Sequence, residues 1–318
     1  MYLAQLVKAA HKFVGIKCYR MTRYYDREQA LFKEWKERLV VNGISEDLFA
    51  EDGLLFRGRI IYVNETGCWD REQGNEAELW DTAPKRLLVL TKDLYDDEPW
   101  DVRIETGRKN GIPHPRLYHK FYPNLTLWSC SLLNACAGNE ILMFDGNKCP
   151  YDNDELMKQY ETLPIARINC KKAVGGSRCK SRELNDHIVK YGDLILRQIR
   201  MYDPDIILCC CGDHVFKNFI KKEYLPDLQQ ITDKGNWAHY SPSANKLVIN
   251  SFHPSYFGMS RKNMYEYMME DVKVFLEKYP GFVIVTDINS GKRTDNRQKF
   301  SIFARLFANK KLPKIWKR

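Results

Sequence analysis

Three polar side chains in this sequence stand where an apolar run ends. His253 closes the run Leu247-Val-Ile-Asn-Ser-Phe252 and precedes Pro254-Ser255; proline cannot continue a central ladder, so the imidazole falls on a rim. Asp93 lies just beyond Arg86-Leu-Leu-Val-Leu-Thr91, and Asn169 directly follows Leu163-Pro-Ile-Ala-Arg-Ile168. In an open α/β sheet, ligands bind in the crevice outside the carboxyl ends of the strands. A carboxylate that can orient water, an amide that both donates and accepts, and an imidazole near its titration range would then share one edge. Each residue also has a plainer reading: Asp93 as the cap of a following turn, His253 as a solvated turn histidine.

The elements that must position them follow from the periodicity. Met1 to about Gly43 reads as helical, with Leu6, Ala10, Phe13 and Val14 at helical spacing and a second helix opening at Asp26. Arg59–Val63 reads as a strand, and Asn64–Lys85 as a polar loop despite Trp69 and Trp80. Residues 103–128 interleave basic and aromatic side chains, a pattern that can follow a phosphate backbone or simply form a surface loop. A long helix is expected over Ser181–Tyr202, a third strand over Ile206–Cys211, a short helix before Pro226, the His253 strand, and a helix from about Lys262 to Tyr279. A further apolar run, Phe282–Thr286, leads into the C-terminal segment. Strands alternating with helices predict a largely parallel sheet with helices on both faces, a three-layer α/β sandwich around four strands. The organisation expected is a helical extension over 1–53, the α/β domain over 54–280 and a basic extension over 281–318.

The formal charge of +9 is concentrated in that last segment. Gly291–Arg318 holds ten basic residues, Lys292 and Arg293 among them, against Asp295 alone, so the rest of the chain is neutral overall. Such a local field attracts polyanions such as nucleic acid. A second basic stretch, Cys170-Lys171-Lys172-Ala-Val-Gly-Gly-Ser-Arg178, contains glycines that would let a backbone approach phosphates closely. The ten cysteines include no Cys-x-x-Cys pair, which points away from structural zinc, and the adjacent Cys209–Cys211 read as small hydrophobes in a reducing compartment. No apolar run is long enough for a membrane span, and Lys8 and Lys12 interrupt the N-terminal one, so a cytoplasmic protein is expected.

The order and wording of the strand-end motifs resemble the uracil-DNA glycosylase superfamily. Its first motif is commonly Gly-Gln-Asp-Pro-Tyr-His, where this chain has Thr91-Lys92-Asp93-Leu94-Tyr95-Asp96; its last is His-Pro-Ser followed by a wedge residue, where this chain has His253-Pro254-Ser255-Tyr256-Phe257. Asn169 is similar to the family's strand-end asparagine, and Asp203-Pro-Asp-Ile-Ile-Leu-Cys-Cys-Cys-Gly212 to its proline–aspartate strand. The likeness spans roughly Leu54–Tyr279. It implies a uracil-DNA glycosylase-like sandwich and hydrolysis of the bond between a flipped pyrimidine and its deoxyribose, leaving an abasic site.

The same resemblance assigns roles. Asp93 would orient water and favour the cationic sugar, and a neutral His253 would donate to the base oxygen. Asn169 would read the pyrimidine edge, Phe121 would stack on the base in preference to Tyr118 or Trp128, and Tyr95 would sit against the C5 position. Phe257 would be the wedge, unless it is an ordinary buried phenylalanine, with Ser255 in the same DNA-contacting turn. Lys92 keeps open a Schiff-base route that borohydride trapping would reveal. Lys171, Lys172, Arg178, Lys292 and Arg293 would contact DNA. The substitutions around Asp93 leave the target open between uracil and a bulkier modified base, and the setting between repair and defence against phage DNA. No cofactor or metal is expected, the iron–sulfur branch needing an early Cys-x-x-Cys, and the protein would act on DNA as a monomer. Two other classes fit the same residues: a non-catalytic nucleic-acid-binding protein, and a nucleotide hydrolase on a generic doubly wound sheet.

Overall fold

In the computed structural model, which describes residues 23–283 except 73, 95, 97, 110–111, 114–120, 145–153, 176–178 and 234, the apolar runs pair side by side. The strands in chain order are β1 (Gly53–Leu54), β2 (Ile60–Val63), β3 (Cys68–Arg71), β4 (Leu87–Thr91), β5 (Arg108–Lys109), β6 (Ile112–Pro113), β7 (Ile165–Asn169), β8 (Ile206–Cys209), β9 (Gln229–Gln230), β10 (Ala238–Ser241) and β11 (Lys246–Asn250). The helices are α1 (Arg23–Val41), α2 (Glu76–Thr82), α3 (Phe121–Cys136), α4 (Asp154–Tyr160), α5 (Ser181–Tyr202), α6 (Asp213–Val215), which continues as a π-helix over Phe216–Tyr224, and α7 (Arg261–Lys278).

The main sheet runs β1-β7-β4-β8-β11-β10-β9. Its centre, β7-β4-β8-β11, is parallel throughout and consists of the four expected strands. The sheet nevertheless has seven strands, not four, because β1, β10 and β9 add antiparallel edges. These edges are two to four residues long, β1 being Gly-Leu and β9 and β10 carrying Gln, His and Ser, so they offer no long apolar run to read. The central strands are buried on both faces and therefore read as continuous apolar stretches.

Helices cover both faces, which makes the architecture a mostly parallel α/β sandwich. On one side Leu88, Leu90, Ala166, Ile168, Ile207 and Val248 pack against Phe32, Trp35 and Leu39 of α1 and against α5 and the π-helix. The described part of the 1–53 segment thus shares the main core. On the other side α3 reaches the sheet through Phe121 and Tyr122, and α7 joins α3 through a Ser131–Tyr265 hydroxyl bond of 2.7 Å. The α5 helix buries Leu184, Tyr191, Ile195, Ile199 and Tyr202 at helical spacing. It stops at Asp203, a left-handed residue (φ 46°) whose N–H reaches Ile199 O, with Pro204 barring continuation.

Two other expectations are corrected. Asn64–Lys85 is not a loop: β2 and β3 form a hairpin with Trp69 edge-on to Tyr62, and α2 buries Trp80, whose indole N–H donates to Tyr202 O at 2.9 Å. Isolated tryptophans in a polar stretch were the signal; Trp69 meets Tyr62 across the hairpin, whereas the partner of Trp80 lies 122 residues away in sequence. The stretch before Trp128 does not end in a surface loop, since α3 begins at Phe121 and is buried almost throughout. Phe282, at the head of the last apolar run, belongs to a short 3-10 turn, Pro280–Phe282. Residues 1–22 and 284–318, including Lys292 and Arg293, lie outside the described residues. Among the described residues no helix is long and apolar enough to cross a membrane.

Candidate active site

Parallel pairing puts the carboxyl ends of β7, β4, β8 and β11 on one edge, and that edge collects Asn169, Asp93 and His253. Thr91, the last residue of β4, pairs in register with Asn169, the last residue of β7. Alternation along β7 places Arg167 on the same face as Asn169.

From Asn169 the contacts run without a break to His253. The Thr91 hydroxyl donates to Asn169 Oδ1 at 2.5 Å, and Arg167 Nε donates to Thr91 Oγ1 at 3.4 Å. The Arg167 guanidinium lies 4.6 Å from the centre of the Phe121 ring, which in turn is 5.3 Å from the His253 ring. Phe121 therefore sits between a buried cation and the histidine.

The turn after β11 is anchored from both helices on that side. Asn124 Nδ2 of α3 donates to Pro254 O at 2.6 Å, and Arg261 Nε of α7 donates to Asn124 Oδ1 at 2.7 Å. His253 Nδ1 accepts the Ser255 backbone N–H at 3.3 Å. Burial, and then the positive charges of Lys92 and Arg167, push the imidazole down to about 4, so it is neutral at physiological pH. With Nδ1 accepting, the single ring proton of the neutral form sits on Nε2, which makes that atom a hydrogen-bond donor.

Asp93 is 10% exposed, and its Oδ2 accepts no hydrogen bond among the described residues. Lys171 Nζ approaches it at 3.7 Å while bonding Glu183 Oε1 at 2.8 Å. Burial raises the Asp93 pKa above the ordinary carboxylate range, opposed by Lys171, reinforced by the negative Glu183, and opposed again by Lys92. Lys92 thus acts on both Asp93 and His253, and its carbonyl accepts the Lys171 N–H at 2.8 Å.

Asn169 is fully buried. Its backbone N–H donates to Asp52 Oδ2 at 2.8 Å, while its side-chain Nδ2 has no partner among the described residues. An orphaned buried donor costs free energy unless something arrives to accept from it.

Two of the basic residues read as DNA contacts have other roles. Lys172 is fully buried, paired with Asp52 and donating to Gln198 Oε1 at 2.9 Å. Lys171 is 4% exposed and points at the Asp93–Glu183 pair. A lysine flanked by acids next to a folded core is drawn inward, which a count of basic residues in a loop does not reveal. Tyr95 and Arg178 lie outside the described residues. Ser255 is exposed in the turn. Phe257 is 93% exposed and so is no core residue; it extends a near-parallel series in which Phe252 and Tyr256 stack at 4.4 Å and Tyr256 and Phe257 at 6.3 Å.

Sequence reading missed Arg167, Thr91 and Glu105. Arg167 is held by an ion pair with buried Glu105 and donates to Tyr122 Oη at 3.0 Å; Tyr160 donates to Glu105 at 2.6 Å. The available signal was an arginine inside the otherwise apolar run Ile165–Ile168. Among the described residues no group of three or more His, Cys, Asp or Glu side chains is arranged to hold a metal ion.

Fold and site together define an α/β protein with a carboxylate, a neutral imidazole and an amide at the carboxyl edge of a mostly parallel sheet. Compared with protein-family models and with curated proteins, the chain matches none.

Proposed function

We propose that this protein is a DNA glycosylase that hydrolyses the N-glycosidic bond of a flipped-out pyrimidine, with uracil or a bulkier modified base as the target. The observation that carries the reading is the state of His253: neutral, with Nδ1 occupied by the Ser255 N–H and Nε2–H left to donate. As the bond from C1′ to the base breaks, its electron pair goes to the base, and a neutral donor aimed at the base oxygen stabilises that charge. Asp93, in its ionised form, orients the water that adds to C1′, takes up its proton, and favours the cationic sugar. Phe121 supplies a stacking face and Asn169 Nδ2 a donor for the base edge.

The test is base release from oligonucleotides carrying uracil, mismatched thymine, oxidised bases or bulky modified pyrimidines. Release of one class, lost in His253→Ala by about a hundredfold to a thousandfold, is the expected result. No release from any substrate, with DNA binding intact, would replace this reading by a binding protein on the same fold.

Phe257 gives a second check. An exposed ring beside the turn can fill the gap left by an extruded base. Phe257→Ala is expected to slow release from duplex DNA by about 5- to 100-fold, the worth of one base–aromatic stack, and to affect single-stranded substrate less. Its melting temperature should match wild type, since the ring is almost wholly in solvent.

The pH profile supplies a third. Activity requires ionised Asp93, so it should fall in acid at a pH above the ordinary carboxylate value of 3.8. Lys171 is the largest influence lowering the Asp93 pKa, so Lys171→Met should move the acid limb to still higher pH. A limb that stays in place in this variant would show that Lys171 does not govern the titration.

A further inference from the structure

Ser251 stands two residues before His253, on a strand whose other side chains on that face, Leu247 and Ile249, are apolar. Strand register fixes its surroundings. Thr91 of β4 pairs with Asn169 of β7, and the pairs Leu90–Cys209 and Cys209–Asn250 continue one step outward to Thr91–Cys210 and Cys210–Ser251. Main-chain bonds from Cys210 N–H to Leu90 O at 2.8 Å and from Ser251 N–H to Cys209 O at 2.9 Å hold that register beyond the ends of β8 and β11. Asn169, Thr91, Cys210 and Ser251 thus form one row across four strands. Ile168, Leu90, Cys209 and Val248, each an odd number of residues away on its strand, pack under α1 and α5, so the row faces α3. His253 lies on the same side, against Phe121 of α3.

Ser251 is 3% exposed, and its Oγ has no partner among the described residues. A buried hydroxyl left unpaired is destabilising, a penalty that a ligand accepting from it removes. Asn169 is three strand spacings away, about 14 Å, so the amide and the hydroxyl cannot serve one ligand atom. Ser251 belongs instead with His253, one pleat along the same face of the same strand.

We infer that Ser251 is a further catalytic residue, whose hydroxyl donates together with His253 Nε2–H to the base oxygen that gathers negative charge as the bond to C1′ breaks. This rests on the glycosylase reading of the site. The electron pair of the broken bond moves into the base, and Ser251 keeps its proton throughout, so the step needs no further reactant. Two fixed donors in a buried site hold such charge better than one, and a hydroxyl adds no further positive charge beside Arg167 and Lys92.

The test uses the full chain and compares wild type with Ser251→Ala and with Ser251→Thr, which keeps the hydroxyl. On the oligonucleotide that wild type cleaves fastest, the single-turnover rate should fall about a hundredfold in Ser251→Ala and stay near wild type in Ser251→Thr, with DNA binding the same in all three. The melting temperature of Ser251→Ala should equal or exceed that of wild type, because no bond within the core is lost. A lower melting temperature at an unchanged rate would give the hydroxyl a structural partner and overturn the inference.

A second measurement does not depend on base release. Free 5-fluorouracil, followed by its 19F resonance, should bind wild type and Ser251→Thr about 2- to 10-fold more tightly than Ser251→Ala. If no DNA loses a base but this difference holds, the contact of Ser251 with the base stands and the glycosylase reading falls. If release depends on Asp93 and His253 while Ser251→Ala keeps the wild-type rate, the glycosylase reading stands and Ser251 has no part in the reaction.

Discussion

Asp93→Asn is expected to lower base release by about 10²- to 10⁴-fold while leaving the fold as stable as before or more so. The amide has the shape of the carboxylate but can neither take a proton from water nor offset positive charge on the sugar. The stability half follows from burial. Because the folded-state pKa of Asp93 lies above its ordinary value, the contribution of this group to stability is fully present below the unfolded carboxylate pKa and is lost as pH rises through the folded pKa. Above that folded-state pKa the buried charge therefore works against the fold, and the neutral amide removes that penalty. Lys171 keeps its 2.8 Å partner Glu183 in the variant. Melting curves at neutral and acid pH, run beside single-turnover base release, separate the roles. A variant that lost stability and activity together would make Asp93 the turn cap of its plainer reading.

Lys172→Met is expected to cost about 3–5 kcal/mol of folding stability, the largest loss of any single change discussed. Lys172 and Asp52 are both without exposed surface, and the pair is closed by Gln198, whose Nε2 donates to Asp52 Oδ1 at 3.0 Å. Methionine matches the stem but leaves the Asp52 carboxylate in the core with no cation. Urea unfolding at neutral pH should show a lower midpoint with an unchanged slope. Combining Lys172→Met with Asp52→Asn should recover most of the loss, because the uncompensated charge is gone while an oxygen remains to accept from Asn169 N–H. Should Lys172→Met instead match wild type in stability and weaken DNA binding, Lys172 would be the phosphate contact its sequence neighbours suggested.

These two lysines, adjacent in sequence, show where legibility stops. Lys171 and Lys172 sit in a basic, glycine-containing loop, and local composition gives them the same reading. Their partners Asp93, Glu183 and Asp52 are 12 to 120 residues away, and only folding brings those charges within reach. Arg167 shows the same limit inside a strand: alternation fixes its face, but not that Glu105 stands ready to neutralise it and Tyr122 Oη to accept from it. The edge strands β9 and β10 were invisible because short polar strands take their register from the neighbour they pair with.

The four central strands, the long α5 helix with its stop at Asp203-Pro204, and the placing of Asp93, Asn169 and His253 at strand ends were all legible in the order of residues. Those features rest on period and on proline and glycine punctuation, which are properties of a few consecutive residues. Only folding shows that the three strand ends lie on one edge, that His253 is a neutral Nε2 donor, that Phe257 stands in solvent, and that Lys172 pairs with Asp52 in the core. Each of these depends on burial and on hydrogen-bond partners distant along the chain, and neither has a local signature.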